Sequence, residues 1–165
     1  MNFAQMTWFN PPPGQDRDAD DVSVTTAPAT DFWMETFYGF TRHSGHHLCH
    51  PVTGDFTARV TVAADYRTLY DQAGLMLRLD ETHWIKAGVE HTDGQPVFST
   101  VVTDGLSDWA TLPLTIPASP LTLRLTRHGG AVRVDLQDAG GWRMARLAHL
   151  PDGPAIPRAL HEDHP

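Results

Sequence analysis

Tyr70-Asp71-Gln72-Ala73-Gly74-Leu75-Met76-Leu77-Arg78-Leu79-Asp80-Glu81-Thr82-His83-Trp84-Ile85-Lys86-Ala87-Gly88-Val89-Glu90 reads as two β-strands joined by a tight connection. Its odd positions from 73 to 79 and from 85 to 89 are all aliphatic, the period of a strand with one face in a core. Its even positions hold Gln72, Gly74, Met76, Arg78, Trp84, Lys86, Gly88 and Glu90. Paired residues of a ladder point to the same side, so even must face even. A connection from Leu79 to His83 sets Arg78 opposite Trp84, Met76 opposite Lys86, Gly74 opposite Gly88 and Gln72 opposite Glu90. A shift by two residues is the nearest competing register.

The same alternation recurs along the chain. Further runs span Phe56 to Ala64, Val97 to Thr103, Leu121 to His128, Val132 to Leu136 and Trp142 to Leu147. Turn chemistry separates them at Thr53-Gly54-Asp55, Thr92-Asp93-Gly94-Gln95, His128-Gly129-Gly130 and Ala139-Gly140-Gly141. Helix signals are nearly absent. The expected class is all-β, a two-sheet antiparallel sandwich or barrel. Residues 1–150 read as a single sandwich domain. From Leu150-Pro151 onward the prolines give no strand or helix pattern, and a disordered tail over 151–165 is expected. Pro11-Pro12-Pro13-Gly14 and Asp16-Arg17-Asp18-Ala19-Asp20-Asp21 read as a solvated loop. A calcium loop fails there, because Asp21 stands at the glycine position and Ala27 at the twelfth.

Composition narrows the partners. The chain has 165 residues and a formal net charge of −8. That balance argues against nucleic acid, which needs clustered cations, and against anionic membrane surfaces. A single cysteine, Cys49, forbids an intrachain disulfide and reads as a small buried hydrophobe. The first ten residues show no basic stretch followed by an apolar run, and no stretch is long enough to span a membrane. The expected location is cytoplasmic.

Several further pieces occur in order: Trp8-Phe9-Asn10, Thr30-Asp31-Phe32-Trp33, Phe37-Tyr38-Gly39-Phe40, Gly54-Asp55-Phe56-Thr57-Ala58, Ser107-Asp108-Trp109 and Trp142-Arg143-Met144. With the 70–90 block they cover roughly residues 5–155. The chain resembles the uncharacterised-domain family that includes a regulation-of-enolase protein, within the concanavalin A-like lectin/glucanase superfamily. The resemblance implies a concanavalin A-like jelly roll and carries no activity. Two departures stand out. His43 occupies a place that is usually acidic in the family, and family members run longer after the Leu150-Pro151-Asp152-Gly153-Pro154 motif. The chain thus looks shortened at its C-terminus, and an unpaired sheet edge open to self-association is expected.

The even face of the 70–90 block reads as a ligand platform. Amide, carboxylate and cationic groups match sugar hydroxyls, an indole matches the apolar C–H face of a sugar, and mid-strand glycines admit close approach. The candidate ligand-binding residues are Gln72, Arg78, Trp84, Lys86, Glu90 and, by resemblance, Trp33. The same residues allow a plainer arrangement: Arg78 stacked on Trp84, an ion pair between Lys86 and Glu90, and glycines marking a bulge. Trp109 reads equally as a core plug.

Other constellations are weaker. His43, His46, His47 and His50 have helical spacing, but Gly45 and Pro51 argue against a helix, and a solvent-facing histidine cluster without metal is expected. Glycoside hydrolysis needs two carboxylates across one bond. None of the glutamates, Glu35, Glu81, Glu90 and Glu162, stands in an alternating acidic pattern, so an acid–base pair would need Glu90 with Asp71 or Asp65. The leading expectation is a non-catalytic binding module for a carbohydrate or similar polyhydroxylated small molecule, without cofactor. The alternatives are a glycan-active hydrolase or lyase using Glu90, and a protein-interaction or regulatory domain.

Overall fold

A computed structural model describes residues 2–152. After a 3-10 turn at Phe3–Gln5, the strands are β1 (Thr7–Phe9), β2 (Gly14–Arg17), β3 (Val22–Thr25), β4 (Phe32–Met34), β5 (Thr41–His43), β6 (His47–Cys49) and β7 (Phe56–Val62). There follow β8 (Gln72–Arg78), β9 (His83–Thr92), β10 (Gln95–Asp104), β11 (Leu106–Leu112), β12 (Leu121–His128), β13 (Ala131–Asp138) and β14 (Gly141–His149). Two four-stranded antiparallel sheets, ordered β11-β10-β9-β8 and β14-β13-β12-β7, face each other as a β-sandwich.

The odd face of the 70–90 block does enter the core. Leu77, Ile85, Ala87, Val89 and Phe98 from the first sheet pack with Leu121, Leu123, Leu125, Val132, Val134 and Leu136 from the second. Each of these side chains except Ala87 contributes about 1.5–3 kcal/mol by leaving water. The β8–β9 register is the one that parity predicts: Arg78 pairs with Trp84, Met76 with Lys86, Gly74 with Gly88 and Gln72 with Glu90.

The N-terminal third departs from expectation. The Asp16–Asp21 stretch is not an open loop but part of a hairpin, because β2 pairs with β3 and Asp18 Oδ1 accepts the backbone N–H groups of Asp20 and Asp21. The ladders β1–β6 and β4–β5 bring a third layer over the outer face of the first sheet. There Phe32 and Trp33 form a second buried cluster with Trp84 and Val101, joined by Phe9, Met34, Met76 and Trp109.

The start of the expected tail is anchored. Leu150 is buried and its N–H bonds to Gly130 O at 2.9 Å, while the Arg127 guanidinium donates to Pro151 O at 3.1 Å. The expectation for residues 153–165 lies outside the described residues. Among the described residues no helix is long and apolar enough to cross a membrane.

Candidate ligand-binding face

The covering layer divides the predicted platform. Six steps of strand separate Gln72 from Arg78, about 20 Å at ~3.3 Å per residue, so the two ends serve different surroundings. At the Arg78 end the platform is closed. Trp84 is 0% exposed, its indole Nε1 donates to Glu81 O at 3.1 Å, and Phe32 meets it edge-on at 6.1 Å. Trp84 therefore offers no face to a ligand. Arg78 does not stack on Trp84 either: its guanidinium lies 4.4 Å from the Phe9 ring centroid. Both corrections have one cause, the third layer formed by residues with no strong strand period of their own.

At the other end a polar cluster survives. Lys86 Nζ donates to Asp31 Oδ1 at 2.6 Å, and Gln72 Nε2 donates to the same oxygen at 3.1 Å. Lys86 thus pairs with Asp31 and not with Glu90. Glu90 is nearly buried, and its Oε2 accepts Ser99 Oγ–H at 2.5 Å. Ser99 Oγ in turn accepts the Trp109 indole N–H at 2.9 Å. Burial pushes the Glu90 carboxyl above the usual carboxylate range, while the Ser99 hydrogen bond and the Lys86 charge pull it back.

The aromatic surface beside this cluster comes from Tyr38, Tyr70 and Trp109, none of which is among the six candidate ligand-binding residues. Tyr38 and Tyr70 are 41% and 42% exposed, and their hydroxyls meet at 3.3 Å. Tyr70 lies edge-on to Trp109 at 6.5 Å. Its hydroxyl is pushed up to about 12, chiefly by the hydrogen bond with Tyr38. Trp33 is buried, with Nε1 donating to Thr36 O at 3.1 Å, and it props Tyr38 and Trp109 edge-on at 5.4 and 6.4 Å. It is a support and not a stacking platform. Trp109 stands opposite Val101, which stands opposite Lys86, so it shares the platform face once the register of β11 is known. Tyr38 and Tyr70 lie in loops, where parity does not apply, and only the family resemblance points to Tyr38.

The loop that carries Tyr38 is strained and held. Glu35 and Phe37 have φ of 56° and 63°, a region costly for residues with a Cβ. Compensation comes from Glu35 N–H to Phe40 O at 2.8 Å, Gly39 N–H to Glu35 O at 2.7 Å and Thr41 Oγ–H to Glu35 Oε1 at 2.8 Å. Phe37 projects from its tip, 93% exposed.

The facing glycines have a cause within the sheet. A Cβ on Gly74 would lie 2.0 Å from Ala87 O, and one on Gly88 would lie 2.1 Å from Ala73 O. The ladder runs through both without a register shift, so neither marks a bulge.

The histidines scatter instead of forming a solvent-facing group. His46 accepts Ala27 N–H at Nε2 and its Nδ1 meets Asn10 O at 2.8 Å, while only His50 of the four is exposed. His47 is enclosed, and burial lowers its pKa to about 4. Among the described residues no three His, Cys, Asp or Glu side chains converge as metal ligands would. The carboxylates considered as partners for Glu90 are engaged elsewhere: Asp71 caps the Arg67 and Thr68 N–H groups, and Asp65 pairs with Arg67. The carboxylate that joins the Glu90 cluster is Asp31.

Comparison with known proteins gives a consistent picture. The family described as "Protein of unknown function (DUF1349)" matches residues 8–158. "Regulation of enolase protein 1" of Saccharomyces cerevisiae is 45% identical over 150 residues, covering 90% of this chain and 76% of that protein. An uncharacterized protein of Emericella nidulans is 31% identical over 114 residues, covering 66% of this chain and 56% of its own length. The crystal structure of a functionally unknown protein from Saccharomyces cerevisiae superposes with a TM-score of 0.89 at 43% identity, covering 93% of this chain and 84% of that one.

Proposed function

The chain belongs to the DUF1349 family of proteins of unknown function, and from that premise we propose that it is a non-catalytic binding module for a carbohydrate or similar polyhydroxylated small molecule. One observation carries the reading. The Glu90–Ser99–Trp109 hydrogen-bond chain holds a carboxylate and an indole rigidly beside the half-exposed rings of Tyr38 and Tyr70. Hydroxyl-rich ligands need such a combination: fixed acceptors and donors for the hydroxyls, flat apolar surface for the C–H face. In this reading Asp31, Lys86, Gln72 and Glu90 hydrogen-bond the ligand, and Tyr38, Tyr70 and Trp109 stack on it. A cytoplasmic setting and a lectin-like role within the concanavalin A-like superfamily belong to the same proposal.

Calorimetric titration of mono- and oligosaccharides tests it. Binding to the wild type, its loss in Glu90→Gln and its survival in Arg59→Gln, an exposed change on the outer face of the other sheet, are expected. Equal binding by wild type and Glu90→Gln would move the ligand elsewhere.

A second reading, a protein-interaction domain, is favoured by Phe37, which is 93% exposed and touches the Tyr38 ring edge-on at 5.1 Å while the rest of its surface faces solvent. The name of the Saccharomyces cerevisiae relative makes enolase the first protein to try. Phe37→Ser would abolish that association.

A further inference from the structure

Beside the Glu90 cluster a cleft of about 650 Å3 opens between the 36–38 loop and β11, lined by Phe37, Tyr38, Asp108 and Trp109 among others. Neither Glu90 nor Lys86 lines it. Its volume falls within the ~300–1000 Å3 that accommodates a small-molecule ligand. Two neighbouring compartments of surface therefore meet here, one formed by the half-buried polar groups of Asp31, Gln72 and Lys86 above Glu90, the other the cleft walled by the aromatic loop.

Trp109 belongs to both. Its Nε1 is tied to Ser99 Oγ and so to Glu90, while its ring lines the cleft. The indole cannot swing out of either compartment without breaking that hydrogen bond. Tyr38 likewise borders the cleft while its hydroxyl reaches Tyr70 on the polar side. A ligand that touches both compartments would pass over the Trp109 and Tyr38 rings, which border the cleft on that side.

The fixed charges restrict what can cross. Lys86 is neutralised by Asp31, and Arg146 is held by Asp108 at 3.0 Å. Glu90 has no cation at ion-pair distance among the described residues, so the compartments together lean negative. An anionic ligand would meet unfavourable charge with no free cation opposite it.

Resting on the proposed sugar-binding reading, we infer that the ligand is an uncharged chain of at least two sugar-like units, lying from the Asp31–Lys86–Glu90 cluster across Trp109 into the Tyr38–Asp108 cleft. Chains bearing carboxylate or sulfate groups are refused.

The test is calorimetric titration of neutral linear oligosaccharides of one to four units, from glucan, mannan and xylan, beside their uronic-acid counterparts. Affinity is expected to tighten by about tenfold or more from one unit to two, roughly 1.4 kcal/mol, and uronic chains to bind at least tenfold more weakly. Phe37→Ser should lose most of the gain from the second unit, and Asp108→Ala serves if that variant melts abnormally. Glu90→Gln should lose binding at every length. Equal affinity for one unit and for longer chains would overturn the inference and leave the single-sugar reading standing. Tight binding of uronic chains would overturn the charge restriction. No binding of any sugar by cooperatively folded wild type would overturn both readings together.

Discussion

Asp31 and Lys86 are separated by 55 positions in the chain and joined by a 2.6 Å ion pair that clamps the covering layer to the sheet beneath it. Both groups are mostly shielded, so removing one strands the other. Lys86→Met should cost about 2 kcal/mol in chemical denaturation, in the range for hydrogen bonds to charged groups. Adding Asp31→Asn should cost little more, a coupling that a double-mutant cycle reads directly. Stability-neutral truncation of Lys86 and Glu90, natural for an open platform, is not expected here. Lys86 is also the only lysine in the chain, so amine labelling reports on it with only the N-terminus as background. A bound ligand should slow that labelling.

Gly88→Ala should be among the most damaging single-methyl additions, because the new Cβ would lie 2.1 Å from Ala73 O and 2.7 Å from Gly74 Cα, all backbone. A loss of about 3 kcal/mol or failure to fold is expected. Gly94→Ala is the comparison: nothing lies within 4 Å of its Cβ, and only the φ of +78° resists. It should cost about 1 kcal/mol in the same assay.

His47 makes stability depend on pH. Its folded pKa is lowered to about 4 from 6.5, chiefly by burial and then by the Arg78 charge. Between those values the unfolded chain binds a proton that the folded chain does not, so stability rises with pH through that window. On falling from pH 7 to pH 4 the protein should lose on the order of 3 kcal/mol through this group. His47→Phe should flatten that part of the profile in denaturation curves taken across the range.

Asp135 is fully buried on the second sheet between Arg124 at 3.1 Å and Arg133 at 2.7 Å. Arg124 is further pinned over the Trp142 ring at 4.4 Å. Asp135→Ala would leave both guanidinium groups without their shared anion. A loss of about 3 kcal/mol is expected, the lower end for a broken buried pair because both arginines reach solvent. Thermal melts should show it without any change in sugar binding, since the site lies on the other sheet.

The strands from β7 onward were largely legible because their faces alternate cleanly. Phe56, Gln72 and Leu121 begin strands as read, and β12 ends at His128 as read. β11 was missed because Leu106-Ser107-Asp108-Trp109 breaks the apolar alternation. The short strands β1 to β6 were missed for another reason. At three or four residues each they hold too few positions to show a period, and they exist because they pack on a sheet already made. The candidate residues divided along the same line. Gln72, Lys86 and Glu90 gather with Asp31, whereas Arg78, Trp84 and Trp33 are structural.

The order of residues along each long strand is enough to set which positions alternate, and so which face is aliphatic and which residues pair across a ladder. Period two and parity follow from strand geometry and need no knowledge of distant segments. Which part of the polar face meets solvent is fixed by contacts between distant segments. That outcome depends on Phe9, Phe32 and Trp33 arriving over Trp84, and on Tyr38, Tyr70 and Trp109 meeting beside Glu90. Contacts between segments tens of residues apart leave no periodic trace in either segment, because each is shaped by the surface it lands on.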